Sequence, residues 1–540
     1  MSVPALPPSA APSADPSWQR LSTRMIWVDL VQTVLSAVPA AVAIWVVGAE
    51  PGAGQIWPLI GLAVFGVLGA ITDALRWTFT RYRVTATHVE LKTGVIFRVH
   101  RSIQRDRIRS VDTEAKLRHR LGGLRVVKVG AGQQAAEGES AVALDALTAV
   151  DAHALRSRLL DPAQALAAAE PSDQPDQPPH EDPAVALDDR TTPLAVLARL
   201  QPRWVIHNMM NIWAYALALG VGWGAYWLLG SLGVDVAGFV GGLADWESLG
   251  WVATAAIALL AVTVFGVIGL ALNFFAEYWN FQLARTRGPE GTLLQTRQGL
   301  FTTREVNRDE NRIRGVQVSE PLLWRWMGTA DTSVITTGLD MWSMSTPATI
   351  LPRGPVTVAK RVATEVLGTD APFATALAAH PPAALRRRLW WATTFSLGIA
   401  LVLTWLALTG VLPYRAIWAA AALWPVSLGA ALVAYRALGH AIVGPHLVTR
   451  SGLVSRSTTV VQRSAVSTIV IRESLLQRRL GLQSVSVTTA AGYGAYDTPD
   501  LDAGTSLAFA VRAAPGVLDP FLAAHPGTEP ESVTQAPARR

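Results

Sequence analysis

One stretch is written three times in this chain, and any fold for the chain has to accommodate it. Gly94–Val129 reads GVIFRVHRSIQRDRIRSVDTEAKLRHRLGGLRVVKV. Gly299–Val334 reads GLFTTREVNRDENRIRGVQVSEPLLWRWMGTADTSV, and Gly452–Val487 reads GLVSRSTTVVQRSAVSTIVIRESLLQRRLGLQSVSV. The register holds without a gap. Gly94, Gly299 and Gly452 open the copies, and Ile108, Ile313 and Val466 share one later position. Val111, Val316 and Ile469 follow, then Leu117, Leu322 and Leu475, then Gly123, Gly328 and Gly481. Glycines and core aliphatics at shared spacing indicate one structural unit used three times.

What lies before each copy is apolar. Half of the 540 residues are hydrophobic, only 16% are charged, and 20 are tryptophan. That is the profile of a membrane protein. Ile26–Val47 and Trp57–Ile71, the latter extended by Ala74 and Leu75, predict a first transmembrane hairpin. Trp204–Leu232 with Gly250–Phe275 predicts a second, and Leu389–Leu412 with Ala416–Val433 a third. Arginines flank each pair: Arg20, Arg24, Arg76, Arg81 and Arg83; Arg199, Arg203, Arg285 and Arg287; Arg386, Arg387, Arg388 and Arg436. The turns carry Glu50 or Asp235, Asp245 and Glu247, with Arg415 the one exception. Basic residues favour the cytoplasmic side. Six spans are therefore expected in a bacterial plasma membrane, with both termini and all three repeat copies cytoplasmic.

Each copy is β-rich. In the first, Tyr82–Thr85, Val89–Lys92, Val95–Val99, Ile108–Val111 and Leu124–Val129 read as strands. Gly94 supplies a turn, and Leu117–Gly122 a corner. Leu147–Leu160, Pro355–Leu367 and Ser506–Ala514 read as closing helices. The expected class is membrane α-helical plus α+β, with six transmembrane helices as three hairpins. These alternate with three β-barrel or sandwich domains, each closed by a C-terminal helix. The boundaries are a disordered tail (1–21), hairpin 1 (22–76), domain 1 (77–160) and an acidic, Pro-rich linker (161–195). Hairpin 2 (196–278), domain 2 (279–369), hairpin 3 (384–436), domain 3 (437–517) and a disordered tail (526–540) follow. No signal-peptide pattern is evident at the start.

The turn glycine, the R-I-x-S-V core (Arg107, Ile108, Ser110, Val111) and the L-x-x-R-x-G corner before a V-x-V strand resemble the bacterial pleckstrin-homology-like multi-pass membrane proteins. Copy three keeps the corner (Leu475, Arg478, Arg479, Gly481) but has Ala465 and Val466 at the core. Copy two keeps Arg312 and Ile313 and replaces the basic corner with Trp324, Arg325 and Trp326. The resemblance spans residues 22 to 517. It implies three PH-like domains, membrane association and no catalysis, with a link in some members to tolerance of membrane-active peptides.

The residues themselves offer little chemistry. There is no cysteine, which excludes disulfides and thiolate sites. Phosphate-loop, zinc-helix and nucleophile-elbow motifs are absent, and Gly130-Ala-Gly132 reads as a loop. No cofactor, metal or nucleic-acid partner is expected. His88 and His446 share one register, but Leu293 occupies it in copy two. They read as strand ends near a turn rather than a pH switch. The densest charge is Arg98, Arg101, Arg105, Arg107 and Arg109, then Arg118, His119 and Arg120. At strand spacing Arg105, Arg107 and Arg109 fall on one face, and a basic face at the inner leaflet suits anionic headgroups. A solvated positive-inside face is the other reading. In copy two, Asp309 and Glu310 interrupt the charge.

Asp29, His207, Asn208, Asn211 and Asn273 are polar residues within spans. They motivate an alternative function, a transporter or flippase-like protein using the six-helix bundle. Trp204, Trp213, Trp390 and Trp391 fit interfacial belts. The leading expectation is a non-enzymatic membrane scaffold whose domains bind inner-leaflet phospholipid, a second copy of the chain, or a paralogous membrane protein.

Overall fold

The computed structural model describes residues 17–25, 27, 28, 31, 35, 38, 57–85, 87–94, 98–105, 108, 110–130, 141–160, 193–209, 213–231, 234–243, 245–288, 291–337 and 348–518. Most of both tails, the acidic linker, most of the first apolar run, Asp29, Arg107, Arg109 and Asn211 lie outside them. The chain divides into two units, Met1–Gly368 and Thr369–Arg540.

In the first unit, copy one begins ahead of its hairpin. β1 (Gln19–Arg20) pairs antiparallel with β2 (Arg81–Val84), β2 with β3 (His88–Thr93), and β3 with β4 (Val99–Gln104). A second antiparallel run follows: β5 (Ser110–Lys116), β6 (Leu124–Gly130) and β7 (Ala141–Thr148). Helix Ala149–Leu160 comes next. Alternation decides the faces: Val89 and Leu91 of β3 point inward while Glu90 between them does not. Val89, Ile103, Ile108, Val111, Val127, Leu144 and Leu155 share one core, so both β layers and the helix close on it.

Copy two repeats the plan with β8 (Ala195–Arg199), β9 (Gln282–Gly288), β10 (Gly291–Gln298) and β11 (Thr302–Asp309). Next come β12 (Ile313–Pro321), β13 (Thr329–Thr336) and β14 (Thr349–Pro355), paired in that order, and helix Val356–Leu367. Strand spacing treats each copy by itself, yet the structure joins these two. β5 pairs antiparallel with β11, making one seven-stranded sheet in the order β7-β6-β5-β11-β10-β9-β8. Each of those strands would otherwise leave a row of backbone groups unpaired at a sheet edge.

In the second unit, β15 (Gly439–Val443), β16 (His446–Ser451) and β17 (Ser455–Gln462) pair in order. β18 (Thr468–Arg472), β19 (Leu482–Thr488) and β20 (Ala495–Asp502) do likewise, followed by helix Ala503–Ala513. A bridge from Ala378 to His440 stands where β1 and β8 stand in the other copies.

The repeat is visible in backbone angles. Gly94, Gly299 and Gly452 have φ of 114°, 111° and 115°. A Cβ on Gly299 would meet the Thr302 carbonyl oxygen at 1.9 Å, so only glycine makes this turn. The corner glycines Gly123, Gly328 and Gly481 have φ of 66°, 64° and 66°. Their carbonyls each accept the first N–H of the closing helix, from Ala149 (3.1 Å), Val356 (2.7 Å) and Ala503 (3.0 Å).

Of the expected strand face Arg105, Arg107 and Arg109, only Arg105 is among the described residues, and it lies in a turn instead of a strand. β4 ends at Gln104 and β5 begins at Ser110. Between them the Ile108 N–H donates to the Arg105 carbonyl at 3.2 Å, and Val466 donates to Arg463 at the same distance in copy three. Short 3-10 turns, Glu310–Arg312 and Arg463–Ala465, occupy this register in the other copies. The turn carries the chain from one β layer to the other and buries Ile108, Ile313 and Val466.

Among the described residues, Trp246–Tyr278, Pro382–Leu408 and Ala416–Arg436 are long and apolar enough to cross a membrane. Pro202–Met209 with Trp213–Gly230, bent by 85°, makes a fourth if counted as one span. Trp251, Leu259, Phe265 and Leu272 stand exposed along the first of these, a surface suited to lipid tails. The chain thus combines mixed helix and sheet with at least three helices that have the length and composition of membrane spans.

Candidate functional site

The corner of copy one is the short helix Leu117–Leu121, sequence LRHRL, between β5 and β6. Gly122 and Gly123 end it, donating to the Arg118 (3.2 Å) and Arg120 (3.1 Å) carbonyls. A Cβ on Gly122 would lie 2.6 Å from Cγ2 of Val28, so the corner presses directly against the first hairpin. Its basic side chains part ways. Arg118 is half-buried, His119 is buried, and Arg120 is exposed and reaches the Leu300 carbonyl of copy two.

That contact places the corner at the foot of a membrane helix. Leu300 donates its N–H to the Ala276 carbonyl at 2.8 Å, and Gly299 donates to Trp279 at 2.9 Å. The opening turn of copy two thus folds back onto the end of Trp246–Tyr278. Around it, Leu121 is 84% exposed, Phe301 54% and Trp279 50%. Apolar side chains beside arginines, at the end of an apolar helix, have the composition of a membrane–water interface.

Next to the corner is a cavity of about 230 Å³. Leu21, Met25 and Trp77 form its apolar wall, while Lys116, Arg118, Lys128, Glu114 and Asp145 supply charge. The Trp77 indole N–H donates to the Leu21 (3.1 Å) and Ser22 (3.0 Å) carbonyls and fixes that wall. The Lys128 ammonium donates to Glu114 at 2.7 Å. Burial pushes the Glu114 carboxyl up, but Lys128, Arg304 and Lys116 outweigh it and hold the group below the usual range. Burial pulls His119 down, helped by Arg118 and Lys116 and opposed by Asp145 and Glu114. Neither ring nitrogen of His119 has a hydrogen-bond partner among the described residues. With His119 neutral, the lining holds three cations against two carboxylates. The cavity therefore sets a net positive lining beside an apolar wall of Trp77 and Met25.

The seam between copies one and two holds a second polar cluster. Asp112 of β5 is buried, and burial pushes it up to about 6 against Arg308, Arg304, the Asn307 N–H and Lys128. Arg308 is itself buried and donates to the Thr296 hydroxyl (2.8 Å) and the Thr349 carbonyl (3.4 Å). Asp112 Oδ1 and Asn307 Nδ2 have no hydrogen-bond partner among the described residues, so charge attraction between Asp112 and Arg308 holds the cluster inside the sheet.

The predicted arginine surface divides. Arg118 and Arg120 share the corner helix, but Arg118 lines the cavity while Arg120 turns to the Leu300 carbonyl. Arg98 and Arg101 are exposed on and beside β4, and Arg105 lies in the turn after it, with its N–H on the Thr87 carbonyl at 2.9 Å. Arg107 and Arg109 lie outside the described residues. Sequence spacing missed Lys116 and Lys128 because they lie on different strands, one immediately before the corner helix and the other five residues past Gly123. Only the pairing of β5 with β6 brings them into one cavity. Their signal was rarity: they are two of only four lysines in the chain.

Several span residues do other work. Trp204 is 1% exposed, so it is a core residue and not part of an interfacial belt. His207 Nδ1 lies 2.8 Å from the Thr329 hydroxyl, and the Asn208 amide donates to the Trp204 and Arg353 carbonyls, both at 2.9 Å. The His207–Thr329 and Asn208–Arg353 contacts tie Pro202–Met209 to β13 and β14, so these two polar side chains serve packing at the start of the apolar segment. In the second unit Arg387 and Arg388 converge on Asp500 of β20, whose side chain is fully buried. They are ion-paired inside the fold instead of forming a free positive face.

A family model described as bacterial PH domain matches residues 32–163 and 373–514. The middle copy, outside those ranges, has the same turn and corner angles. No curated protein matches the chain, and no solved structure does.

Proposed function

The chain belongs to the bacterial PH domain family, and from that premise we propose that it is a non-enzymatic scaffold of the bacterial plasma membrane. PH-like domains are generally binding modules rather than catalysts, and here they follow directly on apolar helices. The ligand we assign to copy one is an anionic inner-leaflet phospholipid. The observation that carries this is the cavity walled by Trp77 and Met25 and lined by Lys116, Arg118 and Lys128. A headgroup phosphate would take the cations while its acyl chains follow the hairpin. Near a membrane surface each basic residue contributes about 1 kcal/mol of attraction to anionic lipid. Leu121, Phe301 and Trp279 extend the same face into the interface. The reading carries with it six spans, cytoplasmic PH-like copies, and association with a second copy or a paralogous membrane protein in envelope homeostasis.

The test uses the full chain in nanodiscs of phosphatidylcholine mixed with phosphatidylglycerol. Lipid retained after extraction is read by native mass spectrometry. Several-fold enrichment of phosphatidylglycerol is expected, falling toward parity in a Lys116→Gln/Arg118→Gln variant. Equal retention of both lipids by the unaltered chain would overturn the lipid assignment.

A further inference from the structure

The joint between copies one and two is made by the strand after the 3-10 turn of one copy and the strand before it of the next. In β5–β11 the partners are Ala115 with Thr303, Glu114 with Arg304, and Thr113 with Glu305. Counted from the opening glycines, β18 is the β5 of copy three, and β4 is the β11 of copy one. Both are terminal strands of their sheets: β4 ends the order β1-β2-β3-β4, and β18 ends β18-β19-β20. We propose that β18 of one chain pairs antiparallel with β4 of a second copy, in the register of the β5–β11 seam, and joins chains head to tail.

Burial is the first support. At the seam, Val111, Asp112 and Thr113 are 1%, 5% and 7% exposed. Their equivalents in copy three, Ile469 and Val470, are only half-buried, and Ile471 is 38% exposed. On the other side, Val306 and Asn307 are 2% and 4% exposed, whereas Arg101 and Ser102 in the same register of β4 are exposed. Four of the five residues of β18, TIVIR, are β-branched. A strand of that composition left at an edge is a template for another strand.

The register is the second. Transferred from the seam, it sets Arg98 opposite Glu473, Val99 opposite Arg472, and His100 opposite Ile471. One charge pair is complementary and no like charges face each other. A one-residue slip in one direction would put Arg98 against Arg472, and a two-residue slip in the other would put Arg101 against Arg472. Both are disfavoured. The third support is tethering. β2 starts two residues after helix Trp57–Phe79 ends, and β15 three residues after Ala416–Arg436 ends. Each sheet is thus tethered within a few residues of an apolar helix of its own unit. This part rests on the membrane reading above and deepens its self-association. The contact is heterologous, so it builds rings where rotation closes and open rows where it does not.

The chain has no cysteine, so disulfide trapping starts from a clean background. Two differently tagged chains, one Val99→Cys and one Arg472→Cys, are co-expressed in the membrane and mildly oxidised. A mixed disulfide dimer is expected, several-fold more abundant than with the offset pair Val99→Cys and Thr468→Cys. A chain carrying both Val99→Cys and Arg472→Cys is expected to give a ladder of higher species. Glu114→Cys/Arg304→Cys, across the seam within one chain, is the internal standard. If that standard closes while no mixed dimer forms, the proposal is overturned. It is also overturned if the offset pair reacts equally well, or if Val99→Cys captures a different membrane protein instead of a second copy. Phosphatidylglycerol retention measured on the same samples keeps failure of this pairing distinct from failure of the lipid assignment.

Discussion

Arg304 stands directly opposite Glu114 across the seam between the first two copies. Opposite charges facing each other on adjacent strands stabilise pairing, and like charges oppose it, by roughly 0.2–1 kcal/mol. Arg304→Glu would set two carboxylates face to face, so a loss of about 1 kcal/mol is expected in unfolding of the first unit. Glu114→Arg combined with Arg304→Glu should recover part of it, the rest being the lost Lys128–Glu114 contact. The check is a double-mutant cycle by chemical denaturation in detergent, and strictly additive losses would show that the pair does not couple. The Glu114 carboxyl is held below its ordinary range, so its contribution is present above the unfolded value near 4.5. It fades as pH falls through the lower folded value.

Much of this fold was legible before the structure. Gly94, Gly299 and Gly452 carried the repeat because all three sit at positive φ and a Cβ on Gly299 or Gly452 would strike backbone, and a steric rule of that kind leaves a trace in any sequence. The β5–β11 seam left none. Thr113, Glu114 and Ala115 look like an ordinary half-exposed strand, because backbone groups do the joining and backbone groups are the same in every residue. The site was half legible for a related reason. Arg118 and Arg120 stand out as a run, whereas Lys116 and Lys128 become neighbours only through strand register. Trp204 misled because a tryptophan at the start of an apolar run looks alike whether it faces headgroups or a protein core.

Asp500 offers a sharper test of the third hairpin's attachment. Its carboxylate holds Arg387 at 2.5 Å and Arg388 in a still closer contact, and it accepts from the Gln477 amide at 2.9 Å. Its φ is 61°, a conformation that asparagine also tolerates. Asp500→Asn therefore removes the charge and little else. Breaking a buried ion pair from one side costs about 3–5 kcal/mol, reduced here because both arginines are partly solvated. About 2 kcal/mol is expected. Limited proteolysis between residues 369 and 390 should accelerate, and unchanged cleavage would show that the pair does not hold the helix.

Trp204 makes the matching prediction for the second hairpin. The side chain is buried against Gly354, with ring atoms 3.4 Å from where a Cβ would sit. Trp204→Ala should cost about 3–5 kcal/mol, the usual range for removing a buried tryptophan. Hydrogen exchange of residues 202–209 should rise by orders of magnitude, while residues 439–513 stay protected. Equal deprotection of both regions would mean global unfolding rather than release of this segment.

The last prediction concerns pH. His440 Nδ1 lies 3.2 Å from His380 Nε2, and the Tyr435 hydroxyl donates to the His380 carbonyl at 2.9 Å. One ring must donate and the other accept, so the pair is neutral. Burial, with His380 alongside, pushes His440 down to about 4. Burial also pulls His380 down, assisted by Arg388 and opposed by contacts with Asp500 and Pro499. A histidine whose folded value lies below its unfolded value near 6.5 takes up protons preferentially when unfolded. Its stabilising contribution is therefore complete above about pH 6.5 and is lost as pH falls toward 4. Allowing for partial exposure of His440, about 1–2 kcal/mol should disappear over that window. The measurement is the unfolding midpoint of the second unit between pH 7.5 and 4.5, compared with a His440→Asn variant, in which the slope should roughly halve. A wild-type midpoint that stays flat across that range would rule out the histidine pair as its cause.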